Sequence, residues 1–428
     1  MNPTLLDAYE AETGRVEKYA LSNGLKFIIL EDHLAPVAAY QTWFGVGSGH
    51  EKKGSTGMAH LFEHLMFKET KNRKAGEFDR LLEANGVSTN AATWLDWTFY
   101  REELPSSCLP LVMQLESDRM EHMILNQDQL DTEREVVKNE RRSRVDNDPE
   151  GKLYEELYQA HFGAHPYAHP TIGWMADIEG TRLEQCIDFY RDFYAPDNAC
   201  VVVVGDVETA QVLDLAAKYY GHMKPSGFQQ PAAVTARPGS GVTSVLELPV
   251  SSPRVATLLS APSIADPAGT AFHVLNEFML NSDSSRLQKL LVEELELATD
   301  VNGWYGAFRM SGAFEILLSV VPGGNWEHTL DRVWDGIDQL VQSGSSQREA
   351  DKGVNRVEMS IMRGQMTVGT RARNLGHYET TAGDFKALYR MIDRARSCTP
   401  AEVHEVAAGY LKREQSTTIV GVPTGGQS

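Results

Sequence analysis

Two related α+β halves, each a mostly antiparallel sheet with helices packed on it, are expected from three features of this sequence. Short segments of β-type composition, bounded by Gly, Asn and Pro, read as strands with hairpin connections. Longer stretches with helical spacing lie among them without strict strand-helix-strand alternation. The order of strands and helices in the first half also recurs in the second. At 428 residues the chain is too long for one ordinary core, so two domains are expected.

Leu21-Ser22-Asn23-Gly24-Leu25 lies between two alternating segments, and Asn-Gly in that setting is the strongest short hairpin signal. A strand over Lys26–Leu30 follows. The apolar run Val37–Val46 then leads through Gly47, Gly49 and Gly54 into Thr56–Phe67, which has helical spacing and Ser55 or Thr56 as a candidate cap. GEFDRLLEANG reads as a short helix stopped at Asn85-Gly86, and VSTNAATWLDWTFYREEL, rich in Thr and aromatics, reads as extended chain. Helices dominate from there to about residue 195, before a strand over Ala199–Val204 and a helix in ETAQVLDLAAKYYG. KPSGFQQPAAVTARPGSG, residues 224–241, is poor in large apolar residues and rich in Pro and Gly. The expected division is therefore a first domain over 1–225, a linker over 226–240 and a second domain over 241–428. That second half opens with strands Val242–Leu248 and Arg254–Ser260 and a helix Gly269–Leu280. GYLKREQSTTIVGVP near its end matches FYAPDNACVVVVGDV near the end of the first, which points to an internal duplication.

Hydrophobic residues make up 42% and charged residues 23% of the chain, ordinary values for a folded globular protein. A formal charge of −19 argues against nucleic acid and against docking on anionic membrane, both of which are read from basic patches. Cys108, Cys186, Cys200 and Cys398 show no C-x-x-C spacing, so neither a structural zinc site nor a dense disulfide framework is indicated. The start, MNPTLLDAYEAETGRVEKYA, has no basic beginning followed by an apolar run, as a leader would, and no stretch is long enough to span a bilayer. A soluble cytoplasmic protein is expected, with the periplasm as the alternative.

The chemistry concentrates in HLFEH, His60–His64. Two histidines four apart on a helix project from one face, within reach of one metal ion. Glu63 stands beside them, where its carboxylate can take the proton of a water acidified by zinc, the general-base arrangement for hydrolysis. Catalytic zinc wants three protein ligands and an open position. TEREVVKNERRSR is helical by composition, and its Glu133 and Glu140, seven apart, share a face across two turns. One carboxylate can bind metal while the other steadies a ligand histidine. Two histidines on a helix are more often structural than metal-binding, and TEREVVKNERRSR alone would pass for a solvated charged face. Their combination is what points to a zinc hydrolase. His161, His165 and His169 recur every four residues, but Pro166 and Pro170 break any helix that would align them, so they read as loop residues.

On these residues the chain resembles, over nearly its whole length, the pitrilysin and insulysin type of inverzincin peptidases. Within them it resembles the short branch that includes mitochondrial processing peptidase. The resemblance implies that His60, His64 and Glu140 hold one zinc ion per chain, with Glu140 closing an E-R-E-V-V-x-x-E setting. It implies that Glu63 is the catalytic base and that Glu133 supports the site from behind and is needed for activity. STNAAT resembles the family's edge strand, which implies that Asn90 and Ala91 bind substrate backbone as an added strand. Family members fold as two similar α+β halves, and two such units face each other around a chamber, so this chain would be half of a clamshell.

Two departures shape the expected assembly. In the second half the stretch matching HLFEH reads His273-Val274-Leu275-Asn276-Glu277, so that half should not bind zinc. The family's Arg and Tyr, which hold the substrate carbonyl and stabilise the oxyanion, are missing where expected, because SGAFEILLSVVPGG offers Phe314 and Val321. Arg371 and Tyr378 have the spacing but lie in a later helical segment and read as coincidence. A heterodimer is implied, with a sister subunit supplying the Arg/Tyr pair; a homodimer is the less favoured arrangement. The expected function is a zinc-dependent endopeptidase acting on small or unfolded peptides inside a chamber. The competing readings are a non-catalytic scaffold or binding subunit of the same family and a zinc hydrolase of non-peptide amides.

Overall fold

The computed structural model describes residues 3–425. Seven strands form the first sheet: β1 (Thr4–Ala11), β2 (Gly14–Ala20), β3 (Lys26–Glu31), β4 (Val37–Phe44), β5 (Ser88–Thr93), β6 (Thr98–Pro105) and β7 (Ala199–Gly205), in the order β1-β2-β3-β7-β4-β6-β5. Five form the second: β8 (Val242–Leu248), β9 (Arg254–Ala261), β10 (Ala298–Ala307), β11 (Gly312–Val320) and β12 (Ser416–Pro423), in the order β10-β11-β9-β12-β8. The Asn23-Gly24 hairpin forms between β2 and β3, with Gly24 at φ +91°, where a side chain would be strained.

The duplication seen in the sequence is present in the sheets. In the first, β7 runs parallel to β3 and antiparallel to β4, β4 pairs antiparallel with β6, and β6 with β5. In the second, β12 runs parallel to β8 and antiparallel to β9, β9 pairs antiparallel with β11, and β11 with β10. The order of strands along the chain is the same in both. ACVVVVG of β7 is buried along its whole length because it sits mid-sheet, where β-branched side chains fill both faces.

Contacts group the chain into two compact units. One runs to Glu140 and adds Pro170–Ala232 and Met362–Tyr389; the other holds Arg141–His169, Ala233–Ile361 and the chain from Arg390 onward. This grouping is more interlaced than a single linker over 226–240, since each unit takes a segment from the other half of the sequence. In the first unit, helix Val368–Ala382 packs on β4 and β7, where Gln41 Nε2 donates to Gly369 O at 3.0 Å. A Cβ at Gly376 would stand 2.2 Å from Trp43 Nε1, so only glycine allows that approach. In the second unit, helix Pro149–Phe162 packs on β9 and β12. His161 belongs to this helix rather than to a loop, its ring nitrogens 3.1 Å from Thr417 Oγ1 and 3.0 Å from Ser260 Oγ. Pro166 acts only after the helix has ended, which is why it does not exclude His161 from it. Among the described residues no helix is long and apolar enough to cross a membrane.

Candidate metal centre

The HLFEH segment is helical over Met58–Leu65. Its cap is not Ser55 or Thr56. The helix starts after Gly57, at φ +86°, and Glu51 caps it from the preceding loop, its two oxygens accepting from Gly57 N at 2.8 Å and Ala59 N at 2.7 Å. A carboxylate there also complements the positive end of the helix. Thr56 is used elsewhere, donating through its hydroxyl to Asp177 at 2.6 Å. Sequence reasoning missed Glu51, because a loop residue that reaches forward six positions has no periodic signature.

His60 and His64 rise from one face of the helix, their ring centroids 4.9 Å apart. Helix Gln127–Arg141 brings Glu140 across to them. Glu140 Oε2 lies 3.6 Å from His60 Nε2 and 3.3 Å from His64 Nε2. One donor atom from each of the three falls within 4.8 Å of those of the other two, and among the described residues this is the one such group of three or more His, Cys, Asp or Glu. Ligands about 2.0–2.1 Å from a tetrahedral ion stand roughly 3.3–3.4 Å apart. The observed spacing and the two-imidazole, one-carboxylate donor set both fit a divalent cation of the zinc type.

Glu133, two turns before Glu140, turns to the other side of His64. Its Oε2 is 3.6 Å from His64 Nδ1 and its Oε1 is 2.6 Å from Lys68 Nζ. The spacing seven apart left open which carboxylate stands between the two imidazoles, and in the structure Glu140 is the one near both Nε2 atoms. Burial alone would raise the Glu133 carboxyl, but the neighbouring His64 and Lys68 outweigh it and hold it below the ordinary glutamate value. Burial also opposes protonation of His64, yet Glu133, Glu140 and the charge of Glu63 push its ring up to about 9. The site is thus electronegative, the environment a cation relieves. Glu63 is half-buried on the same helix.

Asn90 and Ala91 lie on β5, which is the edge strand of the first sheet and packs beside the motif helix. The Ala91 amide donates to Asn90 Oδ1 at 2.8 Å. Beneath β5, Thr89 Oγ1 donates to Glu102 at 3.2 Å, and Glu102 meets the fully buried Arg119 at 3.3 Å. In the second unit, helix Gly269–Met279 carries His273 and Glu277. Glu277 is taken by Arg356 at 2.8 Å, and neither residue joins a ligand group.

The family model described as Insulinase (Peptidase family M16) matches residues 26–173, and that described as Peptidase M16 inactive domain matches residues 182–357. The chain belongs to peptidase family M16. A Helicobacter pylori protein named Zinc protease PqqE is 28% identical over 408 residues, spanning 94% of this chain and 92% of that protein. The probable mitochondrial-processing peptidase subunit beta of Schizosaccharomyces pombe is 26% identical over 215 residues, half of this chain and 47% of that protein. Among solved structures, a protease from Helicobacter pylori superposes with a TM-score of 0.90 at 28% identity, covering 95% of this M16 chain and 99% of the other.

Proposed function

We propose that this chain is the zinc-binding catalytic subunit of an M16 endopeptidase that cuts small or unfolded peptides inside a chamber closed by a second subunit. The convergence of His60, His64 and Glu140 at the spacing of a tetrahedral ion carries this reading. The three would hold one zinc per chain, with Glu133 fixing the His64 ring from behind. Zinc, when bound, supplies a Lewis acid that makes water a competent nucleophile near neutral pH. Glu63 accepts the proton of the attacking water and delivers it to the leaving amine nitrogen as the peptide bond breaks. β5 receives the substrate as an added strand, and the Asn90–Ala91 side-chain bond is one that an incoming peptide carbonyl can replace.

The chain lacks its own oxyanion donors at the expected place, since Phe314 is buried in β11 and Val321 follows that strand. Arg371 is bonded to Asp32 within its own unit, which supports reading its spacing to Tyr378 as coincidence. The missing Arg and Tyr are therefore assigned to a sister subunit, in a heterodimer of clamshell form. A cytoplasmic location is part of the same proposal, and cell fractionation tests it against the periplasm.

The match to a model described as an inactive domain favours a second reading, a non-catalytic subunit, although that match covers residues 182–357 and not the HLFEH helix. Zinc content and cleavage of quenched peptides, measured for wild type and Glu63→Gln with the sister subunit present, separate the two. Cleavage lost in Glu63→Gln with zinc retained is expected; equal cleavage by both sinks the catalytic reading. Small amides assayed beside the peptides test the non-peptide alternative.

A further inference from the structure

We infer that Lys68 is a positioning residue for His64, acting through Glu133, and that zinc affinity depends on it. The inference rests on the zinc reading of His60, His64 and Glu140 given above. Past Leu65 the chain continues in tightened turns, Phe67 N donating to His64 O at 3.1 Å and Lys68 N to Leu65 O at 2.9 Å. Lys68, four residues beyond His64, reaches Glu133 Oε1 at 2.6 Å. The other oxygen of Glu133 faces His64 Nδ1 at 3.6 Å, and His64 Nε2 faces Glu140 at 3.3 Å. These contacts form one line from the ammonium through a carboxylate and an imidazole to the ligand cluster.

Glu133 has a side chain only 4% exposed, so water offers it little compensation. A carboxylate with one partner can swing about its terminal torsion, which is broad and roughly two-fold. Held at Oε1 by Lys68, it has its second oxygen aimed at the ring, and the ring nitrogen opposite is then aimed at the metal. Lys68 is itself about one-third exposed, which leaves substitution room without opening a core cavity.

Positioning and simple electrostatics make opposite predictions. A lysine acting only as a positive charge near a cation would repel it, so its removal should tighten zinc binding. A lysine that aims the carboxylate should, when removed, weaken it, and outer partners of metal-binding histidines are typically worth about 10–100-fold in metal affinity.

Zinc dissociation constants of the full chain, measured by competition with a chromophoric chelator, decide between them. Lys68→Met should bind zinc about ten-fold more weakly or worse. Lys68→Arg should keep most of the affinity, and Lys68→Met combined with Glu133→Gln should bind no more weakly than Glu133→Gln alone. Metal-free melting temperatures should match across the set. Unchanged or tighter binding by Lys68→Met, additive losses in the double variant, or a lower metal-free melting temperature with zinc affinity kept would each overturn the inference. Equal zinc affinity of wild type and His64→Ala is a different result, and it would remove the zinc reading itself.

Discussion

The shared face of His60 and His64 was legible in the sequence because a helix brings residues four apart onto one side, and the segment is helical over Met58–Leu65. The roles of Glu133 and Glu140 were not separable by spacing. Both lie on one face of one helix, and which nitrogen of His64 each one meets depends on how that helix is set against the other. Two outcomes follow for single residues. Glu63→Gln should lower peptide turnover by roughly 10²–10⁴-fold, the usual worth of a general base, while bound zinc measured by atomic absorption stays near wild type. His64→Ala should lose stoichiometric zinc under the same conditions, because two remaining ligands make a poor site.

Strands and helices were mostly found where the pattern put them, Val242–Leu248 to the residue. What the pattern did not show is which helix covers which sheet. Helix Pro149–Phe162 lies in the first half of the sequence yet covers the second sheet, carrying Tyr158, whose hydroxyl donates to Glu315 of β11. Burial pushes the Glu315 carboxyl up to about 7, against the smaller opposing effect of the Tyr158 bond. A carboxyl raised in the folded state favours folding most below its unfolded value near 4.5, and that contribution is lost as pH rises toward 7. Relative to Glu315→Gln, wild type should therefore lose on the order of 2–3 kcal/mol of unfolding free energy between pH 4.5 and 7.5, read from urea titrations. A constant difference across that window would place the raised value in doubt. At β5, Ala91→Pro removes an amide from the edge strand without touching the ligand cluster. It should lower kcat/KM for peptides about ten-fold, the equivalent of roughly one lost hydrogen bond, with zinc content unchanged.

For the molecule as a whole, the repeated strand order shows how one sheet plan can serve two ends. HLFEH occupies the first α-helix between β4 and β5, and HVLNE occupies the first α-helix between β9 and β10, where Glu277 is engaged by Arg356 from a later helix. Among the described residues, only the first unit gathers a His, His and Glu group, while the second repeats the strand order without one. If the oxyanion donors come from a sister subunit, the chain alone should cleave quenched peptides slowly, and adding that subunit should raise kcat by about 10²–10³-fold, the worth of an oxyanion donor. Full activity from the isolated chain would refute the division of labour. Zinc should also raise the melting temperature of wild type in proportion to the logarithm of its concentration, by binding the folded state alone. His64→Ala should show no such rise.

Local spacing was enough to find the helix that carries HLFEH, the edge strand and the duplication, because helix and strand periods act over a few residues and leave their mark in residue order. The Glu51 cap, the different neighbours of Glu133 and Glu140, the Lys68 contact and the exchange of covering segments between the two units arise from groups brought together by packing. Their energies depend on burial and on distances of a few ångströms between elements, quantities that no run of neighbouring residues encodes.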